Sequence, residues 1–319
     1  MPSTRSNFQS LWLKNKKHMR QNKQLRLGID IGGTETKALV LDGNQIVFRD
    51  RFPTPETAEG ILSGLVKQYH QISEKYAITF CGIGFPGSVI EGIVSTNNLP
   101  FNKYPVEEYL GRKIHCPFRI ANDADCAGTG ELLFGNPEGL RNFLLVTLGT
   151  GIGGCIIING QVYSGRGCAG EFGMMTVRRG KKWEEIASVS ALLGYAEKAV
   201  KRFPESLLCK YSLENRRDDG KAMSGQLFFR ALKENCPVAR TVFAYYIRCL
   251  AVGLENLDEI FSPEKIILSG GITAQGKQIM KEMTKVLRPG IPVRISCLEN
   301  DAGALGAAFL PENGEKNDY

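Results

Sequence analysis

The sequence predicts an α/β protein made of two related halves. Residues 27–43, LGIDIGGTETKALVLDG, align without a gap over residues 144–163, LLVTLGTGIGGCIIINGQVY. Each copy runs a β-rich segment into a glycine turn, and a second β-rich segment is then closed by Asp42-Gly43 or Asn159-Gly160. Through the rest of the chain, stretches with helical apolar spacing alternate with short apolar runs. The 319 residues and 43% hydrophobic content suit two soluble globular domains. No run approaches the roughly 18 apolar residues of a membrane span, and no apolar signal segment opens the chain, so a cytoplasmic protein is expected.

Residues 1–24 read as a basic, mobile leader. Arg5, Lys14, Lys16, Lys17, Arg20 and Lys23 lie there, Arg26 follows, and no acidic residue interrupts them. Without these seven, the 40 basic residues fall to the number of acidic ones, 33, so the body is neutral and offers no face for nucleic acid.

The first glycine turn (Gly32, Gly33) follows a buried strand, an arrangement that brings backbone N–H groups close to phosphate, although tight hairpins without a ligand use the same residues. Residues 59–76 have helical spacing, and AITFCGIGFPG (77–87) reads as a strand with a Gly/Pro turn. Asn122-Asp123-Ala124-Asp125 precedes a helix, and such a segment either caps it or supplies a carboxylate. In the second turn Gly149, Gly151 and Gly154 spell G-x-G-x-x-G, but CIIINGQVY follows where a dinucleotide fold needs a helix, and no P-loop occurs. Facing turns with Thr34 and Thr150 hydroxyls can cradle a polyphosphate chain, and Lys37 follows the first of them. Helices are predicted over 187–203 and 223–260, the latter interrupted near Pro237. A strand is predicted before Gly270-Gly271, and a close-packed small-residue helix over 301–310.

Nine cysteines form no CxxC pair, and the three histidines, His18, His70 and His115, are isolated. Neither a disulfide framework nor a histidine-based triad is indicated.

With these motifs in place, the chain resembles the ROK family of the sugar-kinase, Hsp70 and actin superfamily. The resemblance rests on GIDIGGTETK (28–37), GIGFPGSV (82–89), IANDADCAGTGE (120–131), TLGTGIGG (147–154), GEFG (170–173) and GLENLDEIFSPEKIILSGGI (253–272), in the family's order. It implies two actin-like (ribonuclease H-like) domains around an interdomain cleft, a small one of residues 25–121 plus 303–319 and a large one of 122–302. It further implies Asp123 as catalytic base, with Asn98, Asn122, Asp123, Glu171 and Glu184 on the sugar and Glu185 as the less favoured choice for the last. Asp30 would lie near Mg2+, directly or through water. Gly32, Gly33, Thr34, Lys37, Thr150, Gly151, Gly270 and Gly271 would contact the nucleotide. Within this motif set Asp125 is left as the helix cap.

Many family members bind zinc through a histidine after GE-x-G and a later cysteine cluster. Here Met174 stands at the histidine position, and no cysteine follows Cys168 until Cys209, so no zinc site is expected. Trp183 and Met174 are expected to fill that space.

The resemblance implies an ATP-dependent, Mg2+-requiring kinase acting on the 6-hydroxyl of glucose or a related hexose, and homodimers are usual among relatives. The alternatives are an N-acetylmannosamine kinase or a polyphosphate-dependent glucokinase. A sugar-responsive transcriptional regulator is disfavoured, because the residues ahead of Leu27 are too few for a winged-helix domain.

Overall fold

The computed structural model describes residues 24–312 other than 97, 137 and 215–222, so the expected leader lies outside the described residues except for Gln24. In chain order the elements are β1 (Leu25–Ile31), β2 (Glu35–Asp42), β3 (Gln45–Pro53), α1 (Ala58–Ser73), β4 (Ile78–Phe85), β5 (Ser88–Ile90), β6 (Ile93–Ser95), β7 (Tyr104–Pro105), α2 (Val106–Gly111), β8 (Phe118–Asn122) and α3 (Asp123–Phe134). There follow β9 (Phe143–Leu148), β10 (Ile152–Ile158), β11 (Gln161–Val162), β12 (Thr176–Arg178), β13 (Lys181–Lys182), α4 (Trp183–Ala187), α5 (Val189–Arg202), α6 (Leu207–Glu214), α7 (Gly225–Lys233) and α8 (Pro237–Phe261). The chain closes with β14 (Lys265–Ser269), α9 (Gly276–Met283), β15 (Val293–Ile295) and α10 (Ala302–Ala307).

The described residues divide into two compact units, those within 24–136, 166–168 and 301–312 in the first, and those within 138–165 and 169–300 in the second. The boundary expected between 121 and 122 instead falls after 137, because α3 packs against α10 and stays with the first unit.

In the first unit the sheet order is β3-β2-β1-β4-β8, antiparallel from β3 to β1 and parallel from β1 through β4 to β8. Leu27, Ile29, Ile83 and Phe85 of the sheet share a core with Ile61, Leu62 and Leu65 of α1. That helix starts where Thr57 accepts a hydrogen bond from the Gly60 N–H, as an N-cap threonine does. The final helix has the sequence AGALGA and meets its neighbours backbone to backbone. A Cβ on Gly28 would lie 1.9 Å from the Ala304 carbonyl oxygen, and one on Gly82 would lie 1.7 Å from that of Ala307.

The second unit repeats the pattern as β11-β10-β9-β14-β15, with the same alternation of antiparallel and parallel pairs. Its core is organised by α8, which begins with Pro237 at the first helical position. Proline there loses no intrahelical hydrogen bond, so the predicted interruption resolves into α7 and α8. Trp183 is fully buried against α8, and its indole occupies the notch left by Gly253 and donates to the Cys249 carbonyl at 3.1 Å. Among the described residues no helix is long and apolar enough to cross a membrane.

Candidate active site

In the first unit the turn between β1 and β2 is closed by the Gly32 N–H donating to the Glu35 carbonyl at 3.0 Å. The Thr54 hydroxyl donates to the Gly32 carbonyl at 2.8 Å from the far end of β3. A Cβ on Gly32 would lie 2.6 Å from the Glu35 oxygen, so the turn is built for glycine. Gly33 and Thr34 are exposed at its tip, where their N–H groups are available to an anion. Asp30 lies across the ladder from Lys37. Burial pushes its carboxyl above the usual range, the Lys37 charge pulls it back, and Asp301 raises it further. Gly303 gives this carboxylate room, since a Cβ there would stand 2.7 Å from it.

The start of α3 supplies the next group. The Asn122 side-chain oxygen accepts from the N–H groups of Ala124 at 2.8 Å and Asp125 at 3.0 Å, and its amide donates to the Gly87 carbonyl at 2.7 Å. The helix cap is therefore Asn122, correcting the expectation for Asp125, which sits too far into the first turn to reach back to the leading N–H groups. Asp123 is the first residue of the helix, and its Oδ1 accepts from the adjacent Ala124 N–H at 2.8 Å. Gly84 of the GIGFPG motif admits this helix start, for a Cβ there would meet Asp123 Cα at 3.5 Å and Cys126 Sγ at 3.3 Å. The buried Cys126 thiol is pushed well up by desolvation and then by Asp30, Asp123 and Asp125. Asn98 sits on the exposed turn after β6 that Thr96 closes by bonding the Leu99 backbone.

In the second unit the β9–β10 turn is closed by the Gly149 N–H donating to Gly151 at 3.0 Å and is tied to α5 by the Val189 N–H donating to Gly149 at 2.9 Å. Thr150 is exposed at the tip. Glu184, in the first turn of α4, turns its carboxylate toward this hairpin, with the Ile152 N–H donating to Oε2 at 3.5 Å. Glu185 points outward, where it accepts from the Lys182 N–H at 2.7 Å and pairs with Lys181 at 3.5 Å. That backbone bond first, and the lysines after it, hold its carboxyl below the usual range. Glu171 precedes the 3-10 turn Phe172–Met174, and its carboxyl is pushed up by desolvation and by the charge of Glu184. Glu171 and Glu184 thus share one corner. Of the two residues expected to fill the space of a zinc site, Trp183 is buried and Met174 is exposed, because the 3-10 turn directs Met174 outward.

Gly270 ends β14 with φ +103°, and a Cβ on it would lie 2.3 Å from the Leu148 carbonyl oxygen, so this strand end presses on β9. Leu148, Gly149, Thr150 and Gly271 border a cavity of about 950 Å³ whose other wall is formed by Val189 and Leu193 of α5 and by Phe229, Arg230 and Lys233 of α7. The α7 wall was missed in the sequence. Its signal is the amphipathic run GQLFFRALK, whose Phe228 and Leu232 are buried while Arg230 and Lys233 are exposed.

Among the described residues no group of three or more His, Cys, Asp or Glu is placed to hold a metal ion. Asp30 nevertheless fits Mg2+, which keeps several waters and takes one or two carboxylates beside phosphate oxygens, and a cation relieves a carboxylate that burial disfavours as an anion.

A model of the ROK family matches residues 26–313. The chain is 32% identical over 310 residues to a glucokinase of Streptomyces coelicolor, with 90% of this chain and 97% of that protein covered. It is 29% identical over 322 residues to a glucokinase of Halalkalibacterium halodurans, covering 91% and 96%. Among solved structures, a ROK family glucokinase from Streptomyces griseus in complex with glucose and AMPPNP matches with a TM-score of 0.78 and 30% identity over 89% of this chain and 98% of that one.

Proposed function

The chain belongs to the ROK family as a sugar kinase of the actin-like α/β fold, and from that premise we propose that it transfers the γ-phosphoryl group of ATP to the 6-hydroxyl of glucose or a close hexose. The observation that carries this reading is the start of α3, where Asn122 caps the helix and Asp123 stands beside it as the first helical residue. Asp123 orients the attacking hydroxyl and accepts its proton, the one acid–base task that phosphoryl transfer requires of a side chain. Asn122, with its oxygen committed to the helix, acts mainly by fixing Asp123.

Glu171 and Glu184 accept hydrogen bonds from sugar hydroxyls, and Asn98 adds a contact from its exposed turn. Donors from the sugar offset the desolvation and the Glu184 charge that raise the Glu171 carboxyl. Such a site discriminates epimers, because a misplaced hydroxyl leaves a desolvated carboxylate unpaired. The nucleotide lies in the cavity of the second unit, with phosphates toward the N–H groups of Thr150 and Gly151. Gly270 and Gly271 lie against the nucleoside, while Gly32, Gly33, Thr34 and Lys37 meet the transferred end. Mg2+, when bound, neutralises phosphate charge, and Asp30 holds it directly or through water. Glucose is favoured because the two relatives are named glucokinases, and ATP because the Streptomyces griseus complex holds glucose with AMPPNP, an ATP analogue.

A coupled assay over hexoses and N-acyl hexosamines, with ATP and polyphosphate as donors, tests the reading. Glucose with ATP is expected to give the highest kcat/KM and glucose 6-phosphate as product. Faster turnover of N-acetylmannosamine, or a requirement for polyphosphate, would replace it with the corresponding alternative. Asp123→Asn is expected to lower kcat by roughly two to four orders of magnitude while sugar binding persists. A folded variant with near wild-type kcat removes Asp123 from the mechanism.

A further inference from the structure

Resting on the reading of the second-unit cavity as the ATP pocket, we propose that Arg230 is its base-recognition residue, a fixed guanidinium plane on which the purine ring of the donor stacks. Arg230 lines the cavity from α7, and its Cζ lies 4.2 Å from the centre of the Tyr211 ring. Its Nε donates to Glu234 Oε1 at 3.4 Å, and the Tyr211 hydroxyl donates to Glu234 Oε2 at 2.5 Å. Tyr211 therefore supports one face of the guanidinium, and Glu234 ties both the cation and the ring that carries it.

Two consequences follow from this arrangement. A long side chain usually loses rotamer freedom when a ligand immobilises it, and here the protein has already restricted Arg230, so stacking costs less on binding. The side chain remains 58% exposed, which leaves its other face open to a flat ligand.

Charge decides which part of the donor belongs at this end. Glu234 also lines the cavity and pairs with Arg230, so a phosphate placed on that guanidinium would meet a carboxylate, while Lys233 keeps a second cation on the same wall. A neutral heteroaromatic ring meets no such penalty and gains from contact with a planar cation. The N–H-rich Gly149–Thr150 turn on the same cavity suits the phosphates. A purine covers more of the guanidinium plane than a pyrimidine does, so the occupant is a purine nucleoside triphosphate.

The test is calorimetric titration of the full chain and its Arg230→Lys, Arg230→Gln and Tyr211→Phe variants with ATP, CTP and inorganic tripolyphosphate. Circular dichroism confirms that each variant is folded. Arg230→Lys keeps the charge and loses the plane, and it is expected to weaken ATP binding by about 3- to 30-fold. The preference for ATP over CTP should shrink with it, while tripolyphosphate affinity stays constant. Tyr211→Phe keeps the ring but drops the bond to Glu234, and should fall between wild type and Arg230→Lys. Equal ATP affinity in wild type and both Arg230 variants overturns the inference and leaves the ATP pocket standing. Parallel loss of ATP and tripolyphosphate affinity also overturns it, by putting a phosphate at Arg230. Failure of the wild-type chain to bind ATP overturns the pocket reading and this inference together.

Discussion

The two glycine-turn hairpins have the same strand directions and matching sequences, yet they present different chemistry. In the first unit Ile31 faces Thr36 and the loop runs 32–35; in the second Leu148 faces Ile152 and the loop runs 149–151. The second turn is one residue tighter. Asp30 consequently faces Lys37, whereas Thr147, its counterpart in the sequence alignment, faces Gly153. One copy thus carries a carboxylate and an ammonium beside its turn. The other carries a hydroxyl and bare backbone and opens onto a cavity. A repeated supersecondary unit fixes where backbone N–H groups lie, and the side chains beside the turn decide whether it handles a cation or only an anion.

The two hairpins are told apart by removing the charge from one copy and the hydroxyl from the other. Asp30→Asn is expected to lower kcat/KM by roughly two to three orders of magnitude, the scale of losing one charge-stabilising group, and to raise the Mg2+ concentration needed for half-maximal activity. Thr147→Ala should stay within about threefold of wild type, since neutral hydrogen bonds contribute about 1 kcal/mol or less here. Comparable losses in the two variants, measured by steady-state kinetics with Mg2+ titrated, would make the hairpins functional equals.

Packing separates the units next. In the first, a Cβ on Gly82 meets the backbone oxygen of Ala307 at 1.7 Å; in the second, a Cβ on Gly253 meets the Trp183 side chain at 1.9 Å. A backbone cannot rotate aside, so Gly82→Ala should cost about 3 kcal/mol or more in chemical denaturation and Gly253→Ala about 1–3 kcal/mol. The reverse order would show that the indole is held more rigidly than α10.

These contrasts also mark what the sequence could convey. The hairpins, the helix over residues 58–73, the break at Pro237 and the small-residue final helix were legible because each depends on local spacing, turn chemistry or residue size. The unit boundary was not, because the contact between α3 and α10 joins segments far apart in the chain. Nor was the one-residue difference in ladder register, which a gapless alignment hides. At the site, the resemblance implied Asp123 as base and left the cap to Asp125, and the cap passed to Asn122 only once the backbone of α3 was in place. The resemblance favoured Glu184 over Glu185, and α4 turns the first toward Gly151 and the second toward Lys181.

Each unit also holds a carboxyl that burial raises, and only Asp30 has a lysine opposite to temper it. For Glu171 the causes are desolvation and the Glu184 charge, both unfavourable to the anion. Below the unfolded-state value the group is protonated in both states and costs nothing. As pH rises through the raised folded value, the native state must ionise it and stability falls. Glu171→Gln should therefore match wild type near about pH 4 and melt about 1–2 °C higher near neutrality, a small gain because the residue is exposed to screening solvent. A melting-temperature series over pH with no divergence between the two proteins would remove the coupling to Glu184.

Two buried tyrosines, one in each unit, differ in how their hydroxyls are satisfied. Tyr69, 4% exposed, accepts a hydrogen bond from the His115 N–H at 3.3 Å. Tyr246 is fully buried, stacks on Phe243 at 6.2 Å between ring centres, and its hydroxyl finds no partner among the described residues. Burial alone drives the Tyr246 hydroxyl far above its ordinary ionisation range, with Cys249 adding to it, so it stays neutral and contributes no charge term at any accessible pH. What remains is the desolvation cost of an unpaired polar group, about 1–3 kcal/mol, set against the dispersion contacts of one oxygen atom. Tyr246→Phe removes the first and keeps the ring, so it should be neutral or stabilising by about 1 kcal/mol. Tyr69→Phe should instead lose about 0.5–1.5 kcal/mol with its bond to His115. Equilibrium denaturation of both variants decides the matter: a loss at Tyr246 equal to that at Tyr69 would mean that a buried water satisfies its hydroxyl, and the two cores would then differ in hydration rather than in polar satisfaction.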